Sequence, residues 1–107
     1  MEYTFTTVEE QITRSVIETL LNAFPDYNLT VEDYDGDIIT ERPTRDVETL
    51  FDACRAVDCA TVFVNIDGVQ PWVRLVNGNR EDVLSDYTVN LETVLAGLLN
   101  AITAKFG

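Results

Sequence analysis

The residues most capable of chemistry are the carboxylates of one short stretch of the sequence. Residues 30–41, TVEDYDGDIITE, contain no Lys or Arg and five acids, namely Glu32, Asp33, Asp35, Asp37 and Glu41. Carboxylate oxygens at this density can hold a hard cation such as Ca²⁺, and paired carboxylates can supply the acid and base of glycoside hydrolysis. They can also form a negative surface that attracts a basic partner.

The spacing of these acids does not fit a calcium-binding loop. An EF-hand loop needs glycine at its sixth position and glutamate at its twelfth. Counted from Asp33, the glycine is fourth and the twelfth residue is Thr44. A solvated hairpin turn is the favoured interpretation, because Asp and Gly are typical turn residues. A weak cation site at Asp33, Asp35 and Asp37 is the alternative.

The sequence lacks the usual catalytic signatures. It contains no His, the commonest general base. Ser15 and Ser85 therefore have no recognisable partner base, and Cys54 and Cys59 have no His with which to form a nucleophilic pair or a zinc site. Phosphate-binding and dinucleotide-binding glycine motifs are also missing. We predict that the chain is not an enzyme, uses no cofactor or metal, and keeps both cysteines as reduced thiols in or near the core.

The acidic stretch is predicted to lie in a hairpin that follows a helix. Apolar residues at helical spacing predict a first helix over about Val8–Ala23, with Thr7 as its N-cap. Alternation in residues 27–32 predicts a strand, and Asp35-Gly36 predicts a tight turn. Residues 37–42 are then expected to form the return strand, so that several of the acids face water.

Two further helices and a second hairpin are expected. Thr44 is the predicted N-cap of a second helix. Residues 59–66, CATVFVNI, predict a buried central strand, and Asp67-Gly68 predicts its turn. Regular pairing is expected to resume at Trp72 after a longer loop or a bulge, because Pro71 cannot donate a hydrogen bond. The stripe residues of the second helix are Val47, Leu50, Phe51, Cys54 and Val57.

The last part of the chain predicts a third helix. Residues 82–88, DVLSDYT, indicate either a short edge strand or an ordered loop. Leucines and valines at helical spacing over Leu91–Ile102 then predict the helix, with Asn90 as its cap.

Together these elements predict one α+β domain over residues 1–107. The expected order is helix-hairpin-helix-hairpin-helix, with an antiparallel sheet of about four strands and the helices mainly on one face. The other face should stay partly open and display Phe63 or Trp72 beside polar neighbours. Short, interrupted apolar runs predict no membrane span, and the N-terminus lacks the pattern of a signal peptide. We therefore expect a cytoplasmic protein.

Charge is distributed unevenly along the chain. The formal net charge is −12, from 19 acidic and 7 basic residues. Residues 1–54 carry 13 acids and 3 bases, a net −10, whereas residues 55–107 carry 6 acids and 4 bases, a net −2. Such a field repels nucleic acid and acidic membranes, and it attracts cations or basic protein surfaces.

The segment GNREDVLSDYT, residues 78–88, resembles a segment of small acidic proteins encoded by phages and prophages. In both, a Gly-Asn turn follows an apolar strand and leads through Ser-Asp-Tyr-Thr to a final helix. The resemblance covers about the last third of the chain. It implies a phage-type origin, and with it the cytoplasm of a host cell, but it implies no particular activity.

The uneven charge leads to a first functional hypothesis, a non-catalytic inhibitor or decoy. Carboxylates along a helix and a hairpin can imitate the phosphates of DNA and occupy the basic site of a nucleic-acid-binding protein, in a complex that salt weakens. The predicted binding residues are Glu9, Glu10, Glu18, Asp26, Glu32, Asp33, Asp35, Asp37, Glu41 and Trp72.

Two alternatives give the acids no recognition role. In the first, the chain is a phage structural or assembly accessory protein, or a homo-oligomeric module such as a homodimer. Its open sheet face or an apolar edge makes the contact, with Phe63, Trp72 and Tyr87 as anchors. In the second, the acidity reflects a halophilic habitat, which fits six Arg against one Lys. An even charge distribution would be expected in that case.

Overall fold

The computed structural model describes residues 7–33, 36–40, 42–68, 70–77 and 83–106. The chain order is α1 (Thr7–Ala23), β1 (Leu29–Asp33), α2 (Val47–Arg55), β2 (Cys59–Val64), β3 (Trp72–Val76), β4 (Leu84–Tyr87) and α3 (Glu92–Phe106). A 3-10 turn, Val89–Leu91, leads directly into α3. The predicted α+β class is confirmed. None of the described helices combines the length and the apolar character that crossing a membrane requires.

The four strands form one antiparallel sheet in the order β1-β2-β3-β4. The predicted helix-hairpin-helix-hairpin-helix order is wrong, because the return strand expected at residues 37–42 does not form where the structure describes it. This segment follows β1 through isolated bridges, Glu32 to Ile38 and Leu29 to Thr44. The Thr40 hydroxyl accepts from the Val31 N–H, so a side chain takes the place of a ladder partner. The fourth strand is β4.

The register of the sheet sorts its side chains into two faces. Leu29 pairs with Val64, Val31 with Val62, and Val62 with Val73, and all of them are buried. These side chains join buried residues of the helices in one core, whose α1 members are Ile12, Val16, Ile17, Leu20 and Leu21. Because side chains alternate along a strand, Thr30, Glu32, Thr61, Phe63, Trp72 and Arg74 lie on the opposite face, which we call the open face.

The helix ends differ from the predicted caps. Asp46, rather than Thr44, is the N-cap of α2, and its carboxylate accepts from the Thr49 N–H at 2.9 Å. Thr44 is engaged elsewhere, because its backbone exchanges two hydrogen bonds with Leu29 of β1. Asn90, predicted to cap the third helix, lies inside the 3-10 turn that precedes α3.

The second hairpin agrees with the constraint that Pro71 imposes. Regular pairing of β2 with β3 begins at Phe63 and Trp72. The Val64 N–H donates to the Pro71 carbonyl at 2.9 Å, a bond that proline can accept but not return. Gly68 has a φ of +85° in the turn, a conformation that favours glycine. The expected longer loop before Trp72 is confirmed.

Candidate protein-binding surface

The chain reverses at the end of β1, where the described residues Glu32, Asp33, Gly36 and Asp37 form what we call the acidic turn. The Asp33 N–H donates to the Asp37 carbonyl at 2.8 Å, and the Gly36 N–H donates to the Asp33 carbonyl at 3.0 Å. Gly36 has a φ of +91°. Asp37 is exposed, whereas Glu32 and Asp33 are half-buried. These backbone hydrogen bonds therefore hold Glu32 and Asp33 close to Asp37 at one corner of the sheet.

Not every predicted acid can be placed. Asp35 and Glu41 lie outside the described residues. The candidate cation site at Asp33, Asp35 and Asp37 therefore contains one residue, Asp35, outside the described ranges. Over the ranges that the structure does describe, no three His, Cys, Asp or Glu residues are grouped so that they could hold a metal ion.

The acids of α1 form a separate group around Arg14. Glu10, Arg14 and Glu18 are spaced four residues apart, which places them on one side of the helix. The Arg14 guanidinium donates to both carboxylate oxygens of Glu48 in α2 and lies 4.4 Å from the centre of the Phe51 ring. The hydrogen bond to Glu48 raises the pKa of Arg14, and the same bond lowers the pKa of Glu48.

Glu9 is not part of any binding surface, which corrects the sequence-based set. Its side chain is 0% exposed. Glu9 precedes Ile12 and Val16 by three and seven residues, so it lies on the buried side of α1. A carboxylate buried in this position cannot contact another protein.

The remaining predicted acids are divided between the two sides of the sheet. Glu10 and Glu18 belong to α1, which packs on the buried face, and Glu18 is exposed. Asp26, also exposed, lies between α1 and β1. Glu32 is paired with Thr61 on the open face. The acids therefore do not form the single patch that the decoy hypothesis requires.

Arg14 and Arg45 both donate hydrogen bonds to other parts of the fold. The Arg45 guanidinium donates to the carbonyls of Leu21 and Phe24, at 2.9 and 2.8 Å, and also to that of Tyr27. It thereby closes the C-terminal end of α1, whose last turn has no basic residue of its own. Arg14 is held by Glu48. Arg45 is thereby directed onto backbone carbonyls, whereas the Arg14–Glu48 pair is exposed to solvent and has Glu18 one helical turn away.

Aromatic side chains lie next to the acidic turn on the open face. Phe63 and Trp72 are direct cross-strand partners, and both are half-buried. The Arg74 guanidinium lies 4.9 Å from the centre of the Trp72 ring, within the range of a cation–π contact. The sequence predicted Phe63 or Trp72 on this face, and both lie there. Arg74 was missed, although the alternation of WVRLV puts it on the same side as Trp72.

Tyr87, proposed as a third anchor, lies on the other face. It is paired with Val73, which is buried, and it packs against the hydrophobic core. Its companion Asp86 is paired with Arg74 and is exposed on the open face. A register shift between Arg74 and Leu75 changes the alternation along β4, so Tyr87 shares the core side with Leu84 and is not an anchor on the open face.

The two cysteines are free thiols in different environments. Cys54 is buried, and burial raises its pKa from 9.0 to about 12. Cys59 is half-buried, and burial also raises its pKa, against an opposing effect of Arg74. A raised pKa keeps a thiol protonated and weakens it as a nucleophile.

No known family model, curated protein or solved structure matches this chain, so the functional argument depends on the surface described above.

Proposed function

We propose that this chain is a non-catalytic binding protein that recognises a basic surface on another protein. The observation that carries the proposal is the exposure of Glu18, Asp26 and Asp37, while Arg14 and Arg45 make their contacts within the fold. Carboxylates left facing water attract a cationic partner over a distance of several ångströms and speed its association. A phage-type origin would place that partner in a host cell.

A nucleic-acid-binding protein is one class of partner with a suitable basic site, and the chain would then inhibit it by occupying that site. Because the acids are divided between the two sides of the sheet, the basic site of a partner would contact the acids of one side. It gives less support to continuous imitation of a phosphate backbone, which would need the charges in one row.

The test begins with capture of partners from a bacterial lysate on the immobilised chain at 50 mM salt. The dissociation constant of an identified partner is then measured between 50 and 500 mM salt. We expect it to rise at least about tenfold across this range, because surface charges are screened. The triple variant Glu18→Gln, Asp26→Asn, Asp37→Asn should bind more weakly than the wild type at 50 mM salt. Binding that neither salt nor this variant changes would rule the proposal out.

A homo-oligomeric module is the second candidate, and the Phe63–Trp72 pair favours it. Aromatic side chains are common anchors at interfaces. In this case the acids serve solubility or a salt-rich habitat. Sedimentation of the wild type and of Trp72→Ala distinguishes the candidates. A dimer that persists at high salt and dissociates in Trp72→Ala would support the second.

A further inference from the structure

We infer that the open face is the docking surface for a cationic segment of a partner protein that also carries an apolar anchor residue. This inference rests on the proposed function and assigns it a place and a partner chemistry. It adds Ile38, Phe63 and Asp86 to the acids and to Trp72, which the acid-based hypothesis already contained.

The apolar part of this surface consists of residues from three neighbouring chain segments. Ile38 is 63% exposed and bridges to Glu32, so it lies on the same face. Phe63 and Trp72 occupy the next cross-strand row. The two half-buried rings provide a site for an apolar side chain, with the exposed isoleucine at the outer edge of the same face, and removing these groups from water stabilises a complex.

The charged part of the surface lies in the row next to the Phe63–Trp72 pair. Glu32, Thr61, Arg74 and Asp86 form one row across all four strands. Carboxylates therefore stand on both outer strands, and Asp37 of the acidic turn lies beyond β1. The single cation of the row, Arg74, is directed onto the Trp72 ring. A partner with Lys or Arg on either side of an apolar anchor complements this arrangement.

A second copy of the chain fits the open face less well. Each copy carries a net charge of −12, so self-association brings like charges together. The face is also small. Four strands about 4.8 Å apart and about five residues long outline roughly 250 Å² in projection, whereas a stable interface buries about 800 Å² of accessible surface on each partner, a larger area even after allowance for the relief of the surface. A short cationic segment does not need that area.

The test uses Trp72, the only tryptophan of the chain, as a fluorescent reporter within the docking surface. The probes are three synthetic peptides of equal length. One contains arginine and leucine, one has serine in place of leucine, and one has glutamate in place of arginine. We expect a saturable change in Trp72 emission with the arginine–leucine peptide, weaker binding of the serine peptide, and none of the glutamate peptide.

Matched variants locate the binding site. Glu32→Gln and Phe63→Ala lie on the open face and should each weaken binding of the arginine–leucine peptide about tenfold, the effect of losing one charged or aromatic contact. Asp52→Asn in α2 and Glu92→Gln in α3, exposed acids on the helix side of the sheet that belong to no proposed binding set, should change it less than about twofold, since exposed charges at a distance contribute little. Circular dichroism checks folding, and Phe63→Leu replaces Phe63→Ala should the latter unfold.

Several outcomes would overturn the inference. One is binding that the helix-side variants weaken as much as the open-face variants, which removes the docking surface and leaves the proposed function intact. Another is a wild type that binds the arginine–leucine peptide no better than the glutamate peptide. A third is a dimer that Phe63→Ala dissociates, which assigns the face to a second copy. Loss of the proposed function itself would be seen separately, as salt-independent binding of the captured partner.

Discussion

Arg45 connects two distant parts of the chain through one guanidinium. It reaches the carbonyls of Leu21, Phe24 and Tyr27, which lie at and beyond the end of α1. The last carbonyls of a helix have no partner within the helix. A charged donor that serves several of them therefore stabilises the end of the helix and the turn after it.

Replacing Arg45 should destabilise the fold. In Arg45→Met the alkyl part of the side chain is retained and the donors are lost, so we expect a loss of about 2 kcal/mol in the free energy of unfolding. Urea unfolding followed by circular dichroism measures it. Arg42→Met is the control, because Arg42 is exposed, and its effect should stay within about 0.5 kcal/mol. Equal effects of the two substitutions would show that the helix end does not depend on Arg45.

Asp46 should make stability depend on pH in the acidic range. Hydrogen bonds from the Thr49 hydroxyl and then from the Thr49 N–H lower the pKa of Asp46 below its ordinary value of 3.8. The stabilisation is therefore complete above pH 3.8 and is lost as the pH falls through the lowered pKa. The difference in urea midpoint between wild type and Asp46→Ala should be largest near pH 6 and should shrink below pH 3.8. A difference that stays constant with pH would contradict this assignment.

The thiols should differ in reactivity. Cys54 is buried and has a pKa of about 12, whereas Cys59 is partly accessible. Iodoacetamide at pH 8 should label Cys59 slowly and leave Cys54 unlabelled until urea unfolds the chain. Mass spectrometry of the peptides identifies the labelled residue. Labelling of Cys54 at the rate of Cys59 in the folded state would show that the core opens.

Residue identity alone could predict only part of the candidate surface. The exposure of Glu18, Asp26 and Asp37 follows from their polar surroundings, and the sequence analysis anticipated it. Glu9 could not be excluded, because a glutamate at the start of a helix normally faces water. The role of Arg45 depends on a contact across 21 residues with Phe24, and local sequence patterns contain no such information.

At the scale of elements, β4 explains why residues 82–88 were ambiguous. Leu84 and Tyr87 both pack on the core, although they are three positions apart in the sequence. In a regular strand they would point to opposite faces. A shift in register between Arg74 and Leu75 on the paired strand marks a bulge, which restores both to the same side. Alternation alone cannot reveal such a strand.

Gly68 and Gly97 should respond to substitution in opposite directions. Gly68 has a φ of +85°, and a Cβ there meets no atom within 4 Å. Gly68→Ala should therefore cost about 1 kcal/mol through backbone strain alone. Gly97 lies exposed in α3 with the same free space, so Gly97→Ala should stabilise by up to about 1 kcal/mol. Urea unfolding tests both, and a stabilising Gly68→Ala would show that the turn relaxes.

The helices could be predicted well and the first hairpin could not. α1 agrees closely with the predicted Val8–Ala23, because seven of its residues face the interior at helical spacing. The segment after the acidic turn has β-branched residues typical of a strand. Its pairing with β1 is limited to isolated bridges, and between them the Val31 N–H donates to the Thr40 hydroxyl instead of to a backbone carbonyl.

At the scale of the whole molecule, the net charge of −12 should make stability depend on salt. Self-repulsion destabilises the compact state, and raising the salt from 0.01 to 0.15 M shortens the screening length from about 30 to about 8 Å. The urea midpoint should therefore rise over this range and level off. A continued rise up to 2 M KCl would instead favour the halophilic alternative.

The side of the sheet on which each acid lies is also a property of the whole molecule. Sequence spacing assigned Glu10, Glu18 and Glu32 to one set, because all three fall in the acidic half. Alternation along β1 already separates Glu32 from the buried Leu29 and Val31, and what the sequence left open is the strand register that pairs Glu32 with Thr61 on the open face. Register depends on long-range pairing, which a single sequence does not specify.

The closure of helix ends by remote side chains has a consequence for folding. Asn77, at the end of β3, donates to the carbonyls of Cys54 and Val57 and so completes α2, much as Arg45 completes α1. Neither helix can satisfy its final turn before the chain around it has assembled. We therefore expect helical ellipticity and Trp72 fluorescence to be lost in one concerted step, with no helical intermediate that survives melting of the sheet.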